Sequence, residues 1–298
     1  MKFISVLTPT YNRGYIIHEA YESLLSQTDT NFEWVIVDDG STDDTQKIVQ
    51  KFIDSKKIGI KYIVKKNGGK HTAINEGLKH VTGDYTIVLD SDDYLKDNAV
   101  ELIQKYWKKY ESNEKISDLS FLKYTRANKN MSRGYNDEIV ISNTIDFRHN
   151  KKFTGEMCEV YRTDVLKKYP FPVFKGENFL SEAIVTSKMA FDYDTVFINK
   201  PIYVADYLPD GLTQNSLITR YKNPIGALEN AKLFMDKRFN LKIRMKNSIL
   251  YSGFSFVAKR KISQIIKNND YKLLTVFFLP GGVMFNIYIS RKMKQGKK

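Results

Sequence analysis

The stretch Gly83-Asp84-Tyr85-Thr86-Ile87-Val88-Leu89-Asp90-Ser91-Asp92-Asp93 decides how the chain is read. Tyr85 to Leu89 has the length and apolar character of a buried strand, and it stops at a cluster of carboxylates. Two earlier runs also stop at polar residues. Phe3 to Leu7 leads into Thr8-Pro9-Thr10-Tyr11-Asn12-Arg13, and Phe32 to Val37 leads into Asp38-Asp39-Gly40-Ser41-Thr42-Asp43. Ile58 to Val64 reads as a further strand. Between these runs the apolar residues take helical spacing. Tyr15 to Ser26 places Ile16, Ile17, Ala20, Leu24 and Leu25 on one face, and Asp43 to Phe52 and Thr72 to His80 behave alike.

Strands alternating with helices at a spacing of roughly 30 residues imply an α/β fold, Rossmann-like, with a mostly parallel sheet and helices on both faces. Ligands of such sheets bind outside the carboxyl ends of the strands. Tyr11, Asp38, Asp39, Asp90 and Asp92 all fall there. Further on, Leu95 to Tyr110, Val160 to Lys168 and Ser181 to Phe191 read as helices and Thr195 to Asp206 as a strand. Residues 111–160 show little beyond alternation near Ile139 to Ile141. From about residue 222 the chain reads as helical.

Composition narrows the class. The chain has 298 residues, 42% hydrophobic and 27% charged, as expected of a globular protein. Its single cysteine, Cys158, excludes an internal disulfide and a cysteine-based zinc site. The apolar run after Met1-Lys2 is too short for a secretory signal and ends at Pro9. These features lead us to expect a cytoplasmic protein. The formal net charge is +13, but it sits in the tail. Leu241 to Lys298 holds 13 basic residues and one acid, Asp270, which leaves 34 basic and 33 acidic residues for the rest. A near-neutral body with a basic tail points to an anionic surface. No RNP, zinc-finger or helix-turn-helix signature is present, so nucleic acid is not the expected partner.

The chemistry follows from the strand ends. Asp90 and Asp92 lie two apart, just past a buried strand, where they can share a hard divalent cation, Mg²⁺ or Mn²⁺. Such a cation would neutralise a diphosphate leaving group. An acidic turn that merely caps the next helix would carry the same residues. Asp38 and Asp39 can accept from the N–H of a base or from ribose hydroxyls, although a turn and helix cap would also employ them. Tyr11 can stack on a nucleobase. Gly68-Gly69 permits close backbone approach ahead of a helix start, and Lys70 is placed to meet phosphate.

Taken together, the blocks Ile4 to Arg13, Val35 to Asp43 and Gly83 to Asp93 resemble the inverting family 2 glycosyltransferases of GT-A fold. The likeness covers residues 1 to about 95 firmly and about 150 to 215 loosely. It implies a donor site of Pro9, Tyr11, Asp38, Asp39, Lys70 and Asp90, with Asp92 and Asp90 on the metal. It also implies a carboxylate base at the start of a helix in the second half, usually in a Glu-Asp pair. Here the matching stretch is Gly176-Glu177-Asn178-Phe179-Leu180-Ser181-Glu182-Ala183, with Ala183 where Asp is expected. Glu182 is the first candidate for the base and Glu177 the second. Tyr207 to Thr213 resembles a segment of bacterial polysaccharide transferases and is a candidate mobile loop.

The expected organisation is a catalytic domain over 1–220, with a nucleotide-binding half (1–95) and an acceptor half (96–220), followed by a helical basic extension over 221–298. The extension holds two apolar runs, Leu273 to Leu279 and Val283 to Ile289. Each is too short to span a bilayer, and Pro280-Gly281-Gly282 is expected to interrupt them. An in-plane anchor on the membrane surface is the expectation. The expected activity is sugar transfer from a nucleotide diphosphate donor, a UDP-sugar, to an acceptor hydroxyl, a lipid-linked glycan of cell-surface polysaccharide, at the inner face of the membrane. A sugar-nucleotide nucleotidyltransferase and an inactive transferase-like subunit are the alternatives.

Overall fold

A computed structural model describes residues 2–132, 135–206 and 216–295. The candidate loop Tyr207 to Thr213 lies outside the described residues. The first strands form where apolar runs were found: β1 (Ile4–Thr10), β2 (Phe32–Asp38), β3 (Ile60–Val64) and β4 (Tyr85–Val88). They pair in parallel in the order β3-β2-β1-β4. Every residue of β1 and β2 is buried, as expected of strands covered on both faces.

Alternation along each strand sorts side chains into two cores. Trp34 and Ile36 point to one core, with Ile17 just ahead of α1 (His18–Leu25), Leu24 from α1 and Val49 from α2 (Thr45–Ser55). Val35 and Val37 point to the other, with Ala73 and Ile74 from α3 (Lys70–Gly77).

The second half completes a mixed sheet. A short β5 (Tyr94–Leu95) precedes α4 (Ala99–Tyr110), and β6 (Ile116–Tyr124), β7 (Ile139–Ser142), β8 (Met157–Arg162) and β9 (Asp194–Val204) follow. The order continues from β4 through β8, β6 and β9 to β5, with β7 on β9. β8 runs antiparallel to β4 and β6, whereas β6 and β9 are parallel. The expected helix over Val160 to Lys168 is therefore corrected. Its first residues are the end of β8, and only α5 (Thr163–Leu166) is helical. The cause is the alternation of β8: Cys158 and Val160 enter one core, and Tyr161 enters the other. A π-helical turn spans Ile145–Asn150, and α6 is Ala183–Met189.

Beyond the sheet lie α7 (Ser216–Lys222), α8 (Pro224–Leu233), α9 (Leu241–Val257), α10 (Ile262–Lys267) and α11 (Lys272–Gln295). α8 to α11 enclose a core of their own, around Leu228, Tyr251, Phe254, Ile265 and Ile289. The expected interruption at Pro280-Gly281-Gly282 does not occur, since α11 is one helix with Pro280 inside it. An interior proline costs about 3 kcal/mol or more in a helix. Packing against α9 offsets this. A Cβ on Gly282 would stand 2.4 Å from Ser252 Cβ, and one on Gly253 2.4 Å from Phe285 Cδ1. The glycines that weaken the helix locally are the ones that let it press onto α9.

Candidate active site

Three loops at the carboxyl ends of β1, β2 and β4 build the site. The first two are stapled together. Asn12 Oδ1 accepts from Thr42 N–H (2.8 Å), and Asn12 N–H donates to Ser41 Oγ (2.8 Å). Asp43 Oδ2 accepts from Gly14 N–H at 3.0 Å. Asp38 holds the turn itself, accepting from Ser41 N–H (2.7 Å) and Tyr62 Oη (2.5 Å). Asp39 anchors the glycine loop. It accepts from Lys65 Nζ (2.5 Å), Gly68 N–H (3.0 Å) and Gly69 N–H (2.6 Å). Both acids are buried. Pro9 is buried within β1 opposite Val37, while Tyr11 is 46% exposed at the rim.

Gly69 decides how the halves meet. Its φ is +92°, and a Cβ there would lie 1.8 Å from Asn178 O. Only glycine permits that conformation and approach together. The start of α3 is thereby pressed against the loop before α6, and Lys70 comes to face Glu182. Lys70 Nζ pairs with Asp90 Oδ1 at 2.6 Å and with Glu182 Oε1 at 2.7 Å. Burial opposes the charge on Lys70, but Asp90 and Glu182 together raise its pKa well above the ordinary lysine value. For Asp90, burial is outweighed by Lys70 and Lys123, and its pKa is lowered.

Asp92 lies beside this triad, with Arg13 Nε 3.8 Å from its carboxylate. Burial and then the charge of Asp90 raise its pKa. Asp93 is pushed up to about 8, by burial and then by Asp90. Carboxylates crowded in this way gain from a divalent cation between them, and their oxygens suit Mg²⁺ or Mn²⁺. Among the described residues no group of three or more His, Cys, Asp and Glu could hold a metal. A cation at Asp90 and Asp92 would need its remaining ligands from water and a substrate phosphate, as Mg²⁺ sites do.

Glu177 is placed differently. Its Oε1 accepts from Ile225 N–H (2.6 Å) and its Oε2 from Gly226 N–H (2.7 Å). It satisfies the free amides at the start of α8, where a negative charge is also favoured by the helix dipole. That use of both oxygens sets it apart from the Lys70 cluster. Sequence reasoning did not find Lys123 and Tyr203. Tyr203 Oη accepts from Asp90 N–H at 2.9 Å and donates to Asp93 Oδ2 at 2.8 Å, which fixes the turn that carries Asp90. Both residues come from strands far along the chain, and neither stands in a motif.

A parallel half, β3-β2-β1-β4, joined to a half of mixed strand direction, with acids at the strand ends, defines a GT-A-like α/β fold. The model of the family described as glycosyl transferase family 2 matches residues 5–169, more than half of the chain, and the chain belongs to that family. It is 35% identical over 136 residues to the poly(ribitol-phosphate) β-N-acetylglucosaminyltransferase TarP of Staphylococcus aureus, covering 44% of this chain and 39% of that protein. Among solved structures it is similar to S. aureus TarS 1–349 in complex with UDP-GlcNAc. That likeness has TM-score 0.66 and 19% identity, over 99% of this chain and 92% of that one. The mannosyltransferase PcManGT of Pyrobaculum calidifontis, in complex with GDP-Man and Mn²⁺, aligns with TM-score 0.59 and 16% identity, over 96% of this chain and 87% of that one. At these identities the structural likeness speaks for the fold. The chain spans from 18% to 40% of the length of the curated relatives it matches.

Proposed function

We propose that this glycosyltransferase moves a sugar from a UDP-sugar to an acceptor hydroxyl with inversion, in the synthesis of a cell-surface polysaccharide. Residues 1–220 would form the catalytic part, 1–95 for the nucleotide and 96–220 for the acceptor, and 221–298 the extension. The position of Lys70 carries the reading. One ammonium spans Asp90, expected to face the donor diphosphate, and Glu182, expected to meet the acceptor. Donor-facing and proton-accepting carboxylates thus stand on either side of a single cation.

In the proposed reaction the acceptor oxygen attacks the anomeric carbon, and its proton passes to Glu182. The bond from that carbon to the diphosphate breaks, and the diphosphate leaves with the electron pair. Lys70 is placed to follow the developing charge on the diphosphate. Mn²⁺ or Mg²⁺ on Asp90 and Asp92 would neutralise the same charge when bound. Tyr11 would stack on the base, and Asp39, beside Asp38, would read its edge. The likeness to TarP, a poly(ribitol-phosphate) β-N-acetylglucosaminyltransferase, supports transfer of a sugar to a polymeric acceptor; we take the donor to be a UDP-sugar and the acceptor a lipid-linked cell-surface glycan.

Calorimetric titration with UDP, in Mn²⁺ and then in EDTA, tests this reading. If the cation is shared between Asp90, Asp92 and the diphosphate, UDP and metal should each tighten the other's binding, and by linkage the factor is the same for both. Micromolar affinity for UDP that weakens at least tenfold in EDTA is expected. Preference for GDP would redirect the donor, and no binding to any nucleoside diphosphate would sink the proposal.

We also place the protein on the inner membrane surface. α11 has 24 residues and a mean hydropathy of 1.7 in its most apolar window. At about 1.5 Å per residue it is long enough to cross a bilayer. Its inner face, with Gly282 and Ile289, is however committed to α9 and the small core. The outer face exposes Leu273, Val276, Phe277, Met284, Ile287 and Tyr288 in one stripe at helical spacing. Lys272 stands at one end, and Arg291, Lys292 and Lys294 at the other. An apolar stripe with basic ends suits an anionic leaflet, with the helix lying in its plane. Replacing Phe277 and Met284 with Asp should abolish sedimentation with phosphatidylglycerol vesicles and leave UDP affinity unchanged. A wild-type protein that ignores such vesicles and instead dimerises through this face would refute the membrane placement.

A further inference from the structure

A second cation, Lys123, shares the cavity of the Lys70 triad and has no part in the transfer chemistry described above. It lies near the end of β6, and its side chain lines the same cavity as Asp90, Glu159 and Glu182. Its Nζ stands 4.1 Å from the centroid of the Tyr203 ring. That ring is itself tied down by the hydrogen bonds of its hydroxyl to Asp90 N–H and Asp93. A cation over an anchored aromatic face is held in place.

The other charges of the cavity are matched. Lys70 pairs with Asp90 and Glu182, and Glu159 pairs with Arg148 at 2.9 Å. Among the described residues no carboxylate oxygen lies within 4.0 Å of Lys123 Nζ. Burial opposes its charge, and the more distant Asp90 and Asp93 sustain it. Lys123 is half-buried, and an ammonium partly withdrawn from water without a contact ion would be favoured by a ligand anion. A divalent cation on Asp90 and Asp92 would neutralise part of the field that now sustains Lys123, so the need for that anion grows when donor and metal are bound.

We infer that Lys123 is a specificity-determining contact to the donor, taking an anionic oxygen of the bound nucleotide sugar, either on its β-phosphate or on a carboxylate of its sugar. This rests on the cavity being the donor site, as proposed above. Its neighbours Asp90 and Glu182, on the donor side and the acceptor side, place Lys123 where the sugar and its phosphate would meet.

The test is calorimetry of the wild type and Lys123→Met with UMP, UDP, UDP-glucose and UDP-glucuronate in Mn²⁺. The variant should lose at least tenfold affinity for a ligand carrying the relevant anion and keep UMP within twofold. Equal loss for UDP, UDP-glucose and UDP-glucuronate assigns the β-phosphate, and loss confined to UDP-glucuronate assigns the sugar carboxylate. All four ligands within twofold of wild type, or UMP weakened as much as the rest, overturns the inference. Should Lys123→Met not fold, Lys123→Arg is compared with Lys123→Gln. The Arg variant should stay within threefold of wild type while Gln loses tenfold, and equal affinities overturn the inference. A wild type that binds none of the four ligands removes the donor-site reading before any variant is compared.

Discussion

Glu182→Gln should lower turnover by about a hundred- to ten-thousandfold, the range of a lost general base, while UDP affinity stays within about threefold. The reason lies in what each partner of Lys70 contributes. Removing the charge of Glu182 leaves Lys70 paired with Asp90 at 2.6 Å, so the donor side of the triad persists. Glutamine has nearly the same shape but cannot take the acceptor's proton at neutral pH. Rapid-quench measurement of a single turnover would register the loss in the chemical step, and calorimetry would register the unchanged binding. Glu177→Gln is the control. Its carboxylate accepts from two amides at the start of α8, and an amide group cannot accept with both ends. It should cost about 1–2 kcal/mol of stability and leave turnover per folded molecule near wild type. If instead Glu177→Gln abolished single-turnover chemistry and Glu182→Gln did not, the base would be Glu177.

The contrast between these glutamates shows where sequence is legible and where it is not. β1, β2 and β4 could be read because apolar residues dominate each run, although Ser5, Glu33 and Thr86 are buried among them. β6 could not, because it buries Ser117, Asp118 and Ser120. Asp118 stays in the core by bonding to Ser117 Oγ (2.6 Å) and Thr195 Oγ1 (3.1 Å), and burial lifts its pKa to about 7. Buried polar residues erase the apolar period on which strand recognition depends. Lys123 was hidden with that strand. Asp90, Lys70 and Glu182 were legible because each stands at the end of a strand or the start of a helix, where local spacing points to it. That all three would share one pair of contacts was not. It depends on Gly69 and Asn178 touching, a packing fact between distant segments. The role of Glu177 is likewise set by Ile225 and Gly226, far along the chain. Pro280 and its glycines read as a helix break because their local cost is visible in sequence, whereas the surface of α9 that offsets it is not.

Asp92→Asn should abolish the enhancement of UDP binding by Mn²⁺ and lower turnover by at least about a hundredfold, since a metal stabilises transition-state charge by several kcal/mol. It should do so without unfolding the protein. Burial and the neighbouring Asp90 raise the pKa of Asp92 above that of the unfolded chain, so the folded state binds this proton more tightly. Stability then falls as pH rises from the unfolded to the folded pKa, and above both values the full cost of ionisation is present. Asparagine removes that cost. The loss of the 3.8 Å contact to Arg13 works in the opposite direction, but at that distance and partial exposure it is weak. Thermal melts without metal should therefore place the variant at or above wild type at pH 7.5, with the difference shrinking as pH falls through the carboxylate range. Adding Mn²⁺ and UDP should reverse the order, because only the wild type gains from binding them together. Undiminished turnover, or a Mn²⁺ effect on UDP affinity equal to that of wild type, would show that Asp92 is not a metal ligand and that the cation, if one is used, sits elsewhere in the cleft.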